Sequence, residues 1–186
     1  MANVTYDKNC LTVLDHPLVG HKMTILRDES TAPAHFRKLV HELAALEAYE
    51  ATRDLPTLQV QVKTPICETE GVRLKDDTLA VVPILRAGMG MLEGVLSVVP
   101  SAAVGVLGME RNEETHEPHS YYAKMPQGIE NRMVLVIDPM LATGGSALAA
   151  IKYLREAGVK DIRLLVMVAA PEGVAEAEAA GGPGQG

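Results

Sequence analysis

The stretch Met133-Val-Leu-Val-Ile-Asp138-Pro-Met-Leu-Ala-Thr143-Gly-Gly-Ser146 carries more structural information than any other part of the chain. Apolar residues rich in β-branched types end on an acid and run into a small turn bearing hydroxyls. Beyond it Ala147, Leu148, Ile151 and Leu154 recur at helical spacing. The pattern predicts strand, loop, helix. Gly144 and Gly145 let the backbone approach an anion closely, and the first N–H groups of the following helix have no internal partner. Phosphate is the natural guest at such a place. Thr143 and Ser146 add hydroxyl donors, whereas a carboxylate at Asp138 repels phosphate and suits sugar hydroxyls. The loop therefore points to a ribose phosphate rather than a bare triphosphate.

Working outward, Leu79 to Leu85 is again continuously apolar, meets Arg86-Ala-Gly88, and resumes as a small helix with Met91, Leu92 and Val95 inward. Residues 102–109 and 162–168 read as further buried strands. Strands alternating with helices imply an α/β fold with a mainly parallel sheet flanked by helices on both faces. Residues 55–78 contain Leu58-Gln-Val-Gln-Val62, broken by Pro56, Pro65 and Gly71, and read as a hairpin or a pair of edge strands. Residues 1–30 read as an extended N-terminal arm whose Leu11, Val13, Leu14, Leu18 and Val19 pack on the body or on a second subunit. Ser30 or Thr31 is expected to cap a helix with Pro33 in its first turn. Phe36, Leu39, Val40, Leu43 and Leu46 form its apolar face, and it ends near Thr52. Residues 110–132 are polar, contain Pro118, Pro126 and Gly128, and are too long for a tight connection. At the carboxyl end of a parallel sheet they read as a flexible hood over a site. Residues 181–186 are a glycine-rich tail with no capacity to pack, so residues 1–180 are read as a single domain.

With 186 residues and 47% hydrophobic content, the chain is long enough for one proper core. Its 17 basic and 24 acidic residues give a net charge of -7, and the basic groups are scattered. A general nucleic-acid surface is therefore not expected. No apolar run reaches the length of a membrane span, and the first residues lack the pattern of a secretory signal, so a cytoplasmic protein is expected. Cys10 and Cys67 match no metal-ligand spacing and read as ordinary thiols. His116-Glu-Pro-His119 has Pro118 between its histidines and no third ligand, and reads as a solvated piece of the hood.

Three rival readings of the glycine-bearing loops fit less well. A P-loop nucleotidase would need the Gly-Lys-Ser/Thr ending that Leu141 to Ser146 lacks. A dinucleotide-binding oxidoreductase could use Gly88-Met-Gly-Met-Leu-Glu-Gly94 with Glu110, but the final glycine is displaced by one position and Asp138 is left unexplained. A regulator or pseudoenzyme that binds nucleotides on the same fold is the non-enzymatic alternative, and nothing basic in the sequence supports the RNA contact such a regulator would need.

Val136-Ile-Asp-Pro-Met-Leu-Ala-Thr-Gly-Gly-Ser146 resembles the phosphoribosyl-diphosphate (PRPP) motif of uracil phosphoribosyltransferases, with one acid where phosphoribosyltransferases in general carry two. The resemblance continues through His16-Pro-Leu-Val, Tyr49-Glu-Ala-Thr-Arg-Asp-Leu55, Val82-Pro-Ile-Leu-Arg-Ala-Gly88, Gly108-Met-Glu-Arg-Asn-Glu-Glu-Thr115 and Val168-Ala-Ala-Pro-Glu-Gly173. It implies a type I phosphoribosyltransferase fold and conversion of uracil and PRPP to UMP and diphosphate, as in pyrimidine salvage. It also implies that Arg86, Arg111 and the loop Asp138, Pro139, Met140, Leu141, Ala142, Thr143, Gly144, Gly145 and Ser146 bind PRPP, with Mg2+ accompanying the diphosphate. Family members form homo-oligomers, to which Tyr49, Glu50 and Arg53 would contribute, and some are activated by GTP. No residue stands out as a general base. After Gly173 the family continues with a strand and a loop that recognises uracil. Here Val174 to Ala180 and the glycine-rich tail follow instead, so the expectation is a phosphoribosyl half-site without the usual base-recognition segment, and a sheet edge left uncovered.

Overall fold

In the computed structural model, which describes residues 11–111 and 118–181, the chain opens with two helices, α1 (Pro17–Leu26) and α2 (Pro33–Ala51), and a hairpin of β1 (Thr57–Lys63) and β2 (Glu68–Leu74). Then follow β3 (Leu79–Leu85), α3 (Met89–Val98), β4 (Ala103–Val104), β5 (Val106–Arg111) and β6 (Pro118–Lys124). After a 3-10 turn at Ile129–Asn131 come β7 (Met133–Ile137), β8 (Met140–Leu141), α4 (Gly145–Glu156), β9 (Asp161–Leu165), β10 (Val168–Ala169) and α5 (Pro171–Gly181).

The main sheet has the order β6-β5-β3-β7-β9, with β4 beside the first half of β3. Only the β5–β6 pair is antiparallel. Side chains alternate across a strand, so a strand apolar at every position needs cover on both faces. On one face Leu79 and Val81 join Met133, Leu135 and Ile137 beneath Val40, Ala44 and Ala48 of α2 and Met91, Leu92 and Val95 of α3. On the other, Ala80, Val82, Ile84, Val134 and Val136 pack against Ala150 and Leu154 of α4. Burial of each such large side chain stabilises by roughly 1.5–3 kcal/mol, against about 0–1 kcal/mol for an exposed ion pair. The two-sided core therefore sets the register, and a slip of one residue would exchange its faces.

Several boundaries differ from the sequence expectations. The arm is not wholly extended, because Pro17 starts a ten-residue helix capped by His16, whose Nδ1 accepts from the Leu18 N–H. Ser30 and Thr31 do not cap α2. The Ser30 hydroxyl turns to Asp28 and the Thr31 hydroxyl to the Ile25 carbonyl, closing the α1–α2 turn, while Ala32 holds the cap position without a side-chain bond. The buried face of α2 includes Glu47 and leaves Phe36 exposed, a sector rotated from the expected one. Much of the hood is strand rather than loop, since β6 lies antiparallel along β5 with a bulge at Gly108 and Met109. Backbone pairing satisfies polar groups whatever the side chains are, which is why a polar composition concealed it.

The expected strand 102–109 is divided at Gly105, and the expected strand 162–168 ends at Leu165. Val168 and Ala169 pair instead, in parallel, with Met140 and Leu141. The hairpin at β1 and β2 and the ends of β3 and β7 agree with expectation. Helix α5 extends to Gly181, one residue into the expected tail, and residues 182–186 lie outside those described, as do Cys10 and His116. Cys67 is an exposed free thiol. Among the described residues no helix is long and apolar enough to cross a membrane.

Candidate active site

Strands β3, β5 and β7 are parallel, with Pro83 opposite Ile137 and Leu85 opposite Gly108, so their carboxyl ends share one edge of the sheet. The connection from β3 leads to β5 on one side, and the chain then returns to place β7 on the other. In open α/β sheets ligands bind in the crevice where the strand order reverses in this way. Arg86 follows β3, Arg111 closes β5, and Asp138 follows β7. The fold thus brings the backbones of the three sequence-selected residues to one edge.

Arg86 is exposed, and its peptide bond to Leu85 is cis. The turn behind it is closed by the Gly88 N–H donating to the Ile84 carbonyl at 2.9 Å and the Met91 N–H to the Gly88 carbonyl at 3.0 Å. Gly88 is pressed against the end of β7. A methyl group there would collide with the Ile137 carbonyl oxygen and lie 2.8 Å from the Ile84 nitrogen. The Arg86 turn and the Asp138 loop therefore share a backbone contact. The backbone of Arg111 reaches the same edge, and its side chain lies outside the described residues.

Asp138 is half-buried. Burial pushes its carboxyl above the usual carboxylate range, and a hydrogen bond from the Met140 N–H opposes that rise. Its own N–H donates to the Leu165 carbonyl at 3.2 Å. Along the rest of the loop the side chains divide by role. Leu141 is 5% exposed and packs with Ala147 and Val174, so it anchors the loop. Met140 is 64% exposed, and Ala142 and Thr143 face outward.

Gly144 adopts φ 84°, a left-handed conformation that a side chain would oppose. Helix α4 begins at once, with the Leu148 N–H donating to the Gly144 carbonyl at 2.8 Å and with a glycine, which has no side chain to offer, at its N-cap. The positive end of a helix dipole behind a glycine turn is the kind of place that suits an anion. Asp138 is the loop's one carboxylate, and no group of three metal-ligating side chains occurs among the described residues.

Sequence reasoning missed the support beneath this loop. Besides the β8–β10 pairing, the Ala170 N–H donates to the Leu141 carbonyl at 2.8 Å and the Val168 N–H to the Pro139 carbonyl at 3.2 Å. Their only sequence signal is a pair of short apolar runs with no periodicity.

The family model described as uracil phosphoribosyltransferase matches residues 13–182. The chain belongs to the uracil phosphoribosyltransferase family. Among relatives of that name, the one from Agathobacter rectalis is 54% identical over 164 residues, 88% of this chain and 78% of its own length. The one from Macrococcus caseolyticus is 55% identical over 162 residues, 87% of this chain and 78% of its own. Among solved structures, the AQ2163 protein from Aquifex aeolicus superimposes with a TM-score of 0.83 at 39% identity, covering 90% of this chain and 80% of that one. A purine phosphoribosyltransferase from Pyrococcus horikoshii, at 12% identity and a TM-score of 0.53 over 74% of each chain, shares the fold alone.

Proposed function

We propose that this member of the uracil phosphoribosyltransferase family transfers the phosphoribosyl group of PRPP to uracil, giving UMP and diphosphate. The observation that carries the reading is the start of α4 at a left-handed glycine in Thr143-Gly-Gly-Ser146, one strand away from the Arg86 turn. The ribose phosphate would rest on the α4 N–H groups and the Thr143 and Ser146 hydroxyls. Asp138 would accept hydrogen bonds from the sugar hydroxyls, and Arg86 would meet the diphosphate, with Arg111 as a second cation.

In the reaction the bond from the anomeric carbon to diphosphate breaks as a uracil nitrogen attacks. Positive charge grows on the sugar and negative charge on the leaving group. Arg86 would stabilise the leaving group, and the rigid loop would hold the sugar in line. Mg2+ would arrive on the diphosphate oxygens, as suits a site with a single loop carboxylate.

A homo-oligomer is part of the proposal. Neither β1 nor β2 buries a side chain, and Leu58, Val62, Val72 and Leu74 are exposed. An isolated two-stranded hairpin is marginal in water, so a second copy is the natural cover.

Calorimetric titration with PRPP and Mg2+, followed by uracil with UMP monitored, tests the whole reading. Heat with PRPP and formation of UMP are expected. Heat without UMP would reduce the function to PRPP binding, and no heat from the folded chain would overturn it.

A further inference from the structure

We propose that Gly173 is a positioning residue for the phosphate loop, which it holds in shape from behind through direct backbone contact. The inference rests on the reading that PRPP binds at this loop. The loop from Asp138 to Ser146 has two sides. One faces the crevice, and the other lies on the segment that leaves β10 and turns into α5. On that second side the Ala170 N–H holds the Leu141 carbonyl, and the helix starts immediately, with the Val174 N–H donating to the Ala170 carbonyl at 3.1 Å. Gly173 therefore stands in the first turn of α5, directly against Ala142.

The approach is too close for any side chain. A methyl group at residue 173 would collide with the Ala142 carbonyl oxygen, while lying 3.0 Å from Leu141 Cγ and 3.1 Å from the Ala142 carbonyl carbon. The Ala142 carbonyl is backbone, so relief requires the loop or the helix to move. The helix is pinned by Val174, which is 6% exposed and packed with Leu141 and Ala147. Movement therefore falls largely on Ala142 to Gly144. The Gly173 carbonyl also lies 3.6 Å from where a Cβ on Gly144 would stand. The left-handed Gly144 is thus backed by the same turn, and shifting it re-aims the first N–H groups of α4.

Two roles for Gly173 make opposite predictions. If it were an ordinary helix residue, alanine would favour α5, because glycine is the poorer helix former, and PRPP binding would be unchanged. If it positions the loop, alanine weakens PRPP binding while the rest of the fold stays intact.

The test uses the full chain in four forms: unaltered, Gly173→Ala, Val174→Ala and Gly20→Ala. Gly20 lies in α1 with open space around its added methyl, and serves as the control. PRPP affinity is measured by calorimetry with Mg2+. Amide hydrogen exchange of residues 141–148 is followed without ligand, and thermal melting is recorded. For Gly173→Ala the expected result is at least a tenfold weaker PRPP affinity, faster exchange confined to the loop and the start of α4, and a melting temperature within a few degrees of the unaltered chain.

Val174→Ala trims the packing under the loop without adding an atom. It should weaken PRPP binding by a smaller factor, and it carries the test alone should Gly173→Ala fail to fold. Affinity within twofold and unchanged loop exchange in the folded variants would overturn the positioning role. If the unaltered chain binds no PRPP, the PRPP reading falls, and loop exchange still decides whether Gly173 shapes the loop.

Discussion

Glu47 occupies a core position on α2 between Leu43, Ala44 and Ala48, is 8% exposed, and has one carboxyl oxygen buried without a hydrogen-bond partner. Burial pushes its carboxyl up to about 7 from an ordinary 4.5. The native state therefore binds this proton more tightly than the unfolded chain does. The corresponding stability is fully present below about pH 4.5 and is lost as pH rises towards 7. That interval corresponds to about 3 kcal/mol.

Replacing Glu47 by Gln keeps the volume and removes the ionisation. Urea denaturation of both chains at pH 5, 6, 7 and 8, followed by circular dichroism, reads the difference. The Gln variant should gain on the original steadily through pH 7 and level off above it, with a relative change of about 2.5 kcal/mol between pH 5 and pH 8. Comparing the two chains cancels the other titrating groups, Asp138 included. Glu47→Leu should be more stable still at pH 8, because no unpaired polar atom remains in the core. A stability difference between the Glu and Gln chains that is flat from pH 5 to pH 8 would refute the reasoning.

Three further outcomes are expected. Gly88→Ala forces a methyl against the backbones of Ile84 and Ile137, and should cost about 1–3 kcal/mol in urea titrations; an unchanged midpoint would mean that the contact relaxes freely. Asp138→Asn removes the charge from the expected sugar-hydroxyl acceptor and should weaken PRPP binding roughly tenfold, about 1.4 kcal/mol, with calorimetry as the check and equal affinity as the contrary result. Leu58→Asp combined with Val62→Asp places charges on the exposed hairpin, and light scattering should report a smaller particle than the unaltered chain forms; an unchanged mass would place the subunit contact elsewhere.

The strands at Leu79 to Leu85 and Met133 to Ile137 were legible because an unbroken apolar run has few alternatives to a strand covered on both faces. The strand, loop and helix around Asp138 to Ser146 were legible because an apolar run, a turn with paired glycines and a helical apolar period follow one another directly. Strand β6 was not, since pairing between β5 and β6 is made by backbone groups common to all residues. The buried Glu47 was equally hidden, because an acid on a helix normally marks a solvent face and only the packing around α2 turns it inward. Gly173 belongs to the same class. Its importance depends on Ala142, which approaches it only after β8 and β10 pair.

Arg86 and Asp138 follow strands far apart in the chain, and they come to one edge of the sheet only through the parallel pairing of β3 with β7. Closing so long a loop costs entropy that no local contact repays, so this edge is not assembled until most of the core has condensed. The unfolded chain thus holds no partial form of the proposed site, and a ligand bound there would count wholly towards the native state. Saturating PRPP should protect the entire domain against heat and proteolysis, with protection growing as the logarithm of its concentration.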